Sequence, residues 1–195
     1  DLASKVAQVQ GEVSREVNLF LNSADQNQGS EQEVAQTQGQ MAQGRAADND
    51  LFNEIRSNLQ GEIQQGLVEV EKDGDDVIIR LASQGSFVSG SADLSENFGP
   101  LLRQVGGPLA SDGRSLRIEG HTDNIPIAFS QRFNSNWDLS AARSASVADF
   151  FDRELGIGSD RMKVAGFADT RPLESNSTTE GRARNRRIEI IVEGN

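Results

Sequence analysis

The residues with the most chemistry to offer lie between 117 and 143. Arg117-Ile118-Glu119-Gly120-His121-Thr122-Asp123 is followed by an irregular stretch and then by Ser135-Asn136-Trp137-Asp138-Leu139-Ser140-Ala141-Ala142-Arg143. A strand ending at Gly120 delivers Thr122 and Asp123 to its C-terminal edge. Ser140 stands where a helix N-cap would stand, which puts Ala141 to Arg143 in the first helical turn and Arg143 beside the strand end. A carboxylate and a guanidinium held a few ångströms apart without fully pairing form a receptor for a zwitterion. Asp123 takes an ammonium, and the Arg143 fork takes a carboxylate through two hydrogen bonds. The helix N-terminus favours the anionic half of such a ligand. The competing reading of the pair is a plain surface salt bridge, which contributes little.

Other candidates carry less. Glu119 and Asp123 as paired carboxylates would suit hydrolysis of cell-wall sugars. Residues four apart on a strand share a face but lie about 13 Å apart, too far even for an inverting pair. Nothing else supplies a nucleophile with a base, so the chain reads as a binding module and not an enzyme. The one histidine, His121, reads as a structural hydrogen-bonder. Of Arg182, Arg184, Arg186 and Arg187, at least one is expected to turn into the pocket, because the chain is acidic and a strand follows at once; the others read as surface. Trp137 reads as core in preference to a sugar-stacking surface. Ile125-Pro126-Ile127-Ala128-Phe129 is either tucked onto the domain or a contact surface.

The elements that must position these residues follow from hydrophobic period. Leu51, Phe52, Ile55, Leu59 and Ile63 make a one-faced helix that Asp48 or Asn49 would cap. Alternation over Leu67–Glu71, an acidic turn at Asp73-Gly74 and the run Val77–Leu81 make a hairpin. Residues 85–93 read as a loop holding Phe87 and Val88. Leu101, Leu102, Val105 and Leu109 make a helix that Pro100 begins or bends and that ends near Ser111–Gly113. Strands at Leu116–Gly120, Met162–Phe167 and Arg187–Glu193 are separated by a helix from Ser140 to about Leu155 and then a short helix. The order ββ-α-β-α-β-(short α)-β argues for a two-layer α/β (α+β) sandwich, a mixed sheet with helices on one face.

Leu, Ile, Val and Phe number 48, but residues 22–50 hold one of them and residues 51–195 hold 39, so the core is built from the latter. Residues 1–21 place Leu2, Val6, Val9, Val13, Val17 and Phe20 on one helical stripe, close to a heptad seam. Residues 22–50 are polar and Gln-rich and read as a flexible tether. The expected organisation is therefore residues 1–50 as helix and linker, 51–66 as a helix preceding the domain, and 67–195 as the domain. A net charge of −11 argues against nucleic acid as a partner. The absence of cysteine excludes a disulfide scaffold, a thiolate metal site and a Cys nucleophile. No cofactor and no metal is expected. No apolar run approaches a membrane span, and a chain opening at Asp1 reads as a fragment whose targeting segment has been removed.

Four ordered motifs carry a resemblance: GHTD at 120–123, N-x-x-LS-x-x-R at 136–143, VAGFAD at 164–169 and NRRIEI at 185–190. Together they resemble the OmpA-like peptidoglycan-binding domain over about residues 67–193. Within that family, the insert Asn124–Asn134, the run Ser135–Ser140, the helix 51–65 and the polar tether are similar to the periplasmic region of flagellar motor stator B subunits (MotB/PomB type). The resemblance implies non-covalent binding of the diaminopimelate-containing stem peptide of peptidoglycan. The family's aspartate and arginine fall on Asp123 and Arg143. Thr122, Asn136 and Leu139 line the same pocket by motif position, and Asn185 with Arg186 close its far side. The resemblance also implies a homodimer in the periplasm of a Gram-negative bacterium, anchored in the inner membrane by one helix upstream of Asp1. Such a subunit assembles with a multi-span A subunit into an ion channel that serves motility and chemotaxis, with basal-body ring proteins as further contacts. The wording of 67–98 is nearer the sodium-driven than the proton-driven type. The alternative within the family is the wall-anchoring domain of an outer-membrane porin or a peptidoglycan-associated lipoprotein.

Overall fold

The computed structural model describes residues 49–88, 90–127 and 132–194. The expected seam helix and most of the polar tether lie outside the described residues. Residues 49–58 are helical (α1) and run almost directly into α2, Gln60–Gln64. Asn49 is therefore inside the helix and not its cap; its side-chain oxygen accepts from Lys72 Nζ at 2.7 Å. The hairpin follows as β1, Val68–Asp73, and β2, Asp76–Ala82, joined through Gly74 at φ +62°. α3, Phe98–Asp112, holds Pro100 in its first turn, where no amide partner is lost, and stops at Gly113 with φ +87°. The remaining elements are β3, Leu116–His121, α4, Asn136–Leu155, β4, Met162–Gly166, α5, Thr179–Asn185, and β5, Arg187–Val192.

The strands form one mixed sheet in the order β1-β2-β5-β3-β4. β3 and β4 are parallel, as a crossover through α4 requires, and every other pair is antiparallel. Alternate strand residues (Val77, Ile79 and Leu81; Ile188, Ile190 and Val192; Leu116 and Ile118) face one hydrophobic core. Phe98, Leu102, Val105 and Leu109 of α3 and Val147 and Phe151 of α4 fill it from the other layer. This is the expected two-layer α+β sandwich. Leu51, Ile55 and Leu59 belong to the same core, at 5%, 0% and 0% exposure, so the helix ahead of the hairpin is packed as an element of the fold.

The start of α4 differs from expectation. The cap is Ser135, whose Oγ accepts the Asp138 amide at 3.1 Å while the Asp138 carboxylate accepts the Asn134 amide at 3.0 Å. These two bonds make this the better terminus than Ser140, which has no acidic residue three places on. Ser140 is instead fully buried inside the helix. It lies where α4 crosses β3 and β4 at Gly120 and Gly166, positions at which any Cβ would run into the backbone of Ser140 or Ala141.

Candidate functional site

The close crossing of α4 over the sheet leaves a cleft of about 400 Å³ between four segments. These are the loop after β2, the chain leaving β3, the first two turns of α4, and Arg186 between α5 and β5. Thr122, Asp123, Asn136, Leu139, Arg143 and Arg186 all line it. Asn136, Leu139 and Arg143 are spaced three and four apart and so present one face of α4. Because the helix starts at Asn136, Arg143 lies two turns in and not in the first turn as expected.

Asp123 is 6% exposed and its carboxylate is engaged on both oxygens. Oδ1 accepts the Ile125 amide at 3.0 Å, and Oδ2 accepts Arg186 Nη1 at 2.5 Å. Its carbonyl accepts from Thr122 Oγ1 at 2.9 Å and from Asn136 Nδ2 at 3.2 Å, and Asn136 also donates to the Ile125 carbonyl at 3.1 Å. The turn bearing the carboxylate is thus clamped from the helix. The ion-pair partner of Asp123 is Arg186, whereas the sequence placed Arg143 beside it.

Arg143 is held differently. Its Nε donates to the Ser91 carbonyl at 2.9 Å, and its guanidinium carbon stands 4.8 Å over the Phe87 ring. No carboxylate among the described residues pairs with it. Burial, and then the charge of Arg186, pull its pKa down from the usual arginine range to about 10, and it remains a cation at neutral pH. A desolvated guanidinium facing a cleft without a counter-ion is an anion-binding group.

Asn185 does not line the cleft. It is fully buried, with Oδ1 accepting the Leu173 and Glu174 amides at 2.8 and 3.0 Å and Nδ2 donating to the Glu174 carbonyl at 2.8 Å. It pins the 173–176 loop to the end of α5, next to Arg186, and has no group left for a ligand.

Sequence reasoning missed the opposite wall. Phe87 forms the floor under Arg143 and meets Phe98 edge-on at 5.3 Å, while Ile125 and Ile127 supply an apolar lip. Phe87 stood out in a loop, but nothing in the sequence showed it meeting an arginine 56 positions on. Trp137, expected in the core, is 52% exposed, because the cleft-facing and sheet-facing sides of α4 are taken by other residues.

The OmpA family pattern matches residues 86–186, the stretch that holds most of this cleft. The chain belongs to the OmpA family. Motility protein B of Bacillus subtilis is 28% identical over 153 residues, covering 76% of this chain; the chain spans 58% of that relative's length. Among solved structures, the cell wall anchor of the T6SS from Pseudomonas aeruginosa aligns with TM-score 0.67 and 36% identity, covering 72% of this chain and 97% of that one. A MotB-like protein from Desulfovibrio vulgaris aligns with TM-score 0.72 and 27% identity, covering 79% and 95%.

The far face of this OmpA-family sheet carries a second charged cluster. Glu119, His121 and Glu189 place potential metal-ligand atoms within 4.8 Å of one another. A cation does not fit there. Glu119 is already bonded by Arg117 at 2.7 Å and Arg171 at 3.2 Å, and Glu189 by Arg187 at 2.7 Å and Arg80 at 3.0 Å. Those guanidiniums already balance the carboxylate charges and repel a further positive charge. Arg187, expected at the surface, is 4% exposed because strand alternation turns it onto this face, away from Ile188 and Ile190. Among the described residues His121 finds no hydrogen-bond partner through either ring nitrogen, Nε2 standing 3.6 Å from Glu119 Oε2, and it stacks on Phe167 at 5.6 Å, so it is a packed ring and not the expected hydrogen-bonder. Glu119 belongs to this network and does not line the cleft with Asp123.

Proposed function

We propose that this domain is a non-catalytic wall anchor that binds the peptidoglycan stem peptide through its zwitterionic diaminopimelate centre. The observation that carries the reading is Arg143, a buried cation without a carboxylate partner among the described residues, facing the same cleft as Asp123. The ligand's carboxylate supplies the missing counter-charge, and its ammonium is drawn to Asp123. Membership in the OmpA family and likeness to a cell wall anchor support the same chemistry.

The likeness to Motility protein B and to a MotB-like structure favours a more specific role. In this reading the chain is the wall-binding region of a stator B subunit, held outside the cytoplasmic membrane by an upstream helix. It acts as a homodimer with a multi-span ion-conducting partner. A second reading, the wall anchor of a secretion apparatus, is favoured by the 36% identity to the T6SS protein. The test has two stages. Co-sedimentation with purified sacculi should succeed on diaminopimelate walls and fail on walls carrying lysine at that position, which lacks the second carboxylate; equal binding to both would refute the diaminopimelate centre as the ligand, and binding to neither would refute the anchor. Replacement of the gene by Asp123→Asn should then abolish swimming in the stator reading and leave swimming intact in the secretion reading.

A further inference from the structure

Among the described residues, three charged side chains line the cleft, Asp123, Arg143 and Arg186, two cations against one anion. A simple zwitterion does not correct that imbalance. It adds one charge of each sign and leaves one guanidinium unmatched. The two arginines are also unequal in freedom. Arg143 is 8% exposed and pinned between the Ser91 carbonyl and the Phe87 ring, whereas the Arg186 side chain is 34% exposed and held by its bond to Asp123. An ammonium arriving at Asp123 meets a carboxylate whose Oδ1 already accepts the Ile125 amide and whose charge is already balanced by Arg186 on Oδ2, so it competes with Arg186 for that charge. Two cations at one carboxylate repel each other, and the partly exposed Arg186 can move towards water, so displacement is favoured.

We infer that Arg186 is a surrogate for the ligand's ammonium, which yields Asp123 on binding and takes up a second carboxylate of the ligand. The preferred ligand centre then carries one ammonium and two carboxylates. Three cations (Arg143, Arg186 and the ammonium) meet three anions (Asp123 and the two carboxylates). This rests on the diaminopimelate reading above and sharpens it. A stem peptide ending at diaminopimelate has a free carboxylate at both ends of that residue. One whose inner carboxyl is amidated, or joined to a further residue, offers one. The end of the stem that is neither amidated nor extended is thus the form this cleft selects.

Calorimetric titration with three synthetic probes tests this: the stem tripeptide ending in diaminopimelate, its inner-carboxyl amide, and its outer-carboxyl amide. Wild type should bind the tripeptide at least about tenfold more tightly than the inner amide, the scale of one charge-assisted bond. Arg186→Gln should bind the tripeptide and the inner amide alike. It should bind the inner amide no more weakly than wild type does, because Asp123 is then already free. Arg186→Lys should keep the discrimination, and thermal melts confirm that both variants fold. Equal wild-type affinity for the tripeptide and the inner amide, or discrimination that survives Arg186→Gln, overturns the exchange while leaving the anchor reading intact. Failure of wild type to bind any of the three probes overturns the anchor reading itself, and the exchange with it.

Discussion

Ser140 Oγ accepts the buried amide of Ala168 at 3.1 Å, and this bond ties α4 to the turn after β4. Ala168 sits at φ +49°, the one residue other than glycine with a positive φ among those described, and its carbonyl accepts the Thr122 amide at 2.9 Å. A single chain of contacts therefore runs from the helix through a strained turn to the residue before Asp123. Removing the hydroxyl leaves a buried amide without an acceptor, which costs about 1–3 kcal/mol. Ser140→Ala should lower the urea midpoint accordingly and also weaken sacculus binding, although Ser140 does not line the cleft. Unchanged binding under conditions where the variant is fully folded would show that the turn is positioned by other contacts.

How far the sequence revealed this site depends on the kind of signal. Alternation exposed the strands, and the Asp73-Gly74 turn exposed the hairpin, because period and turn chemistry are local. The start of α4 was legible too, but Ser135 and Ser140 are both N-cap residues; the deciding sign was Asp138, three places after Ser135. The alternation in Arg187-Ile188-Glu189-Ile190 already separates a core face from a charged one, so the face of Arg187 was readable, whereas its burial among Glu189 and its neighbours was not. The partnership of Asp123 with Arg186 was not. It depends on how deep Arg143 sits on α4 and on what Phe87 covers, and both are settled by packing between segments far apart in sequence.

The buried His121 should leave a signature in the pH dependence of stability. Burial, and then the Arg187 charge, lower its pKa from 6.5 to about 4. The unfolded chain takes up this proton near pH 6.5 and the folded chain only near 4, so between them the unfolded state binds more protons. Stability is therefore full above pH 6.5, falls as the pH drops to about 4, and loses on the order of 3 kcal/mol from this group. His121→Gln should flatten that part of the curve whatever its effect at pH 7. Denaturant titrations of both proteins from pH 4 to 7.5 measure the difference, and parallel curves would contradict it.

The packed helix ahead of the hairpin sets a boundary on any mechanism that lengthens the tether. Ile55 and Leu59 are fully buried in the core, so releasing α1 and α2 exposes side chains worth about 1.5–3 kcal/mol each. Leu59→Ala should cost about 2–5 kcal/mol by cavity formation. A chain beginning at Gly66 should melt well below one beginning at Ala46. If the two melt together, the helix is an appendage, and extension through it is inexpensive.

Arg143 is where binding and stability should pull in opposite directions. In the free protein it is a desolvated cation with a carbonyl and an aromatic ring for company, an arrangement that costs folding free energy. In the complex it meets a carboxylate. Arg143→Met keeps much of the volume over Phe87 and removes the charge, so it should leave the melting temperature unchanged or higher while reducing binding to sacculi by about 2–5 kcal/mol. Asp123→Asn should show a loss of binding in the same range with only about 1 kcal/mol of destabilisation, since Arg186 is partly exposed and its ion pair is screened. The double variant should lose less than the two single losses together, because both groups act on one ligand. A structural ion-pair role predicts the reverse pattern, with melting temperatures falling and binding lost only as the fold is lost. Melts and co-sedimentation on the same four proteins separate the two.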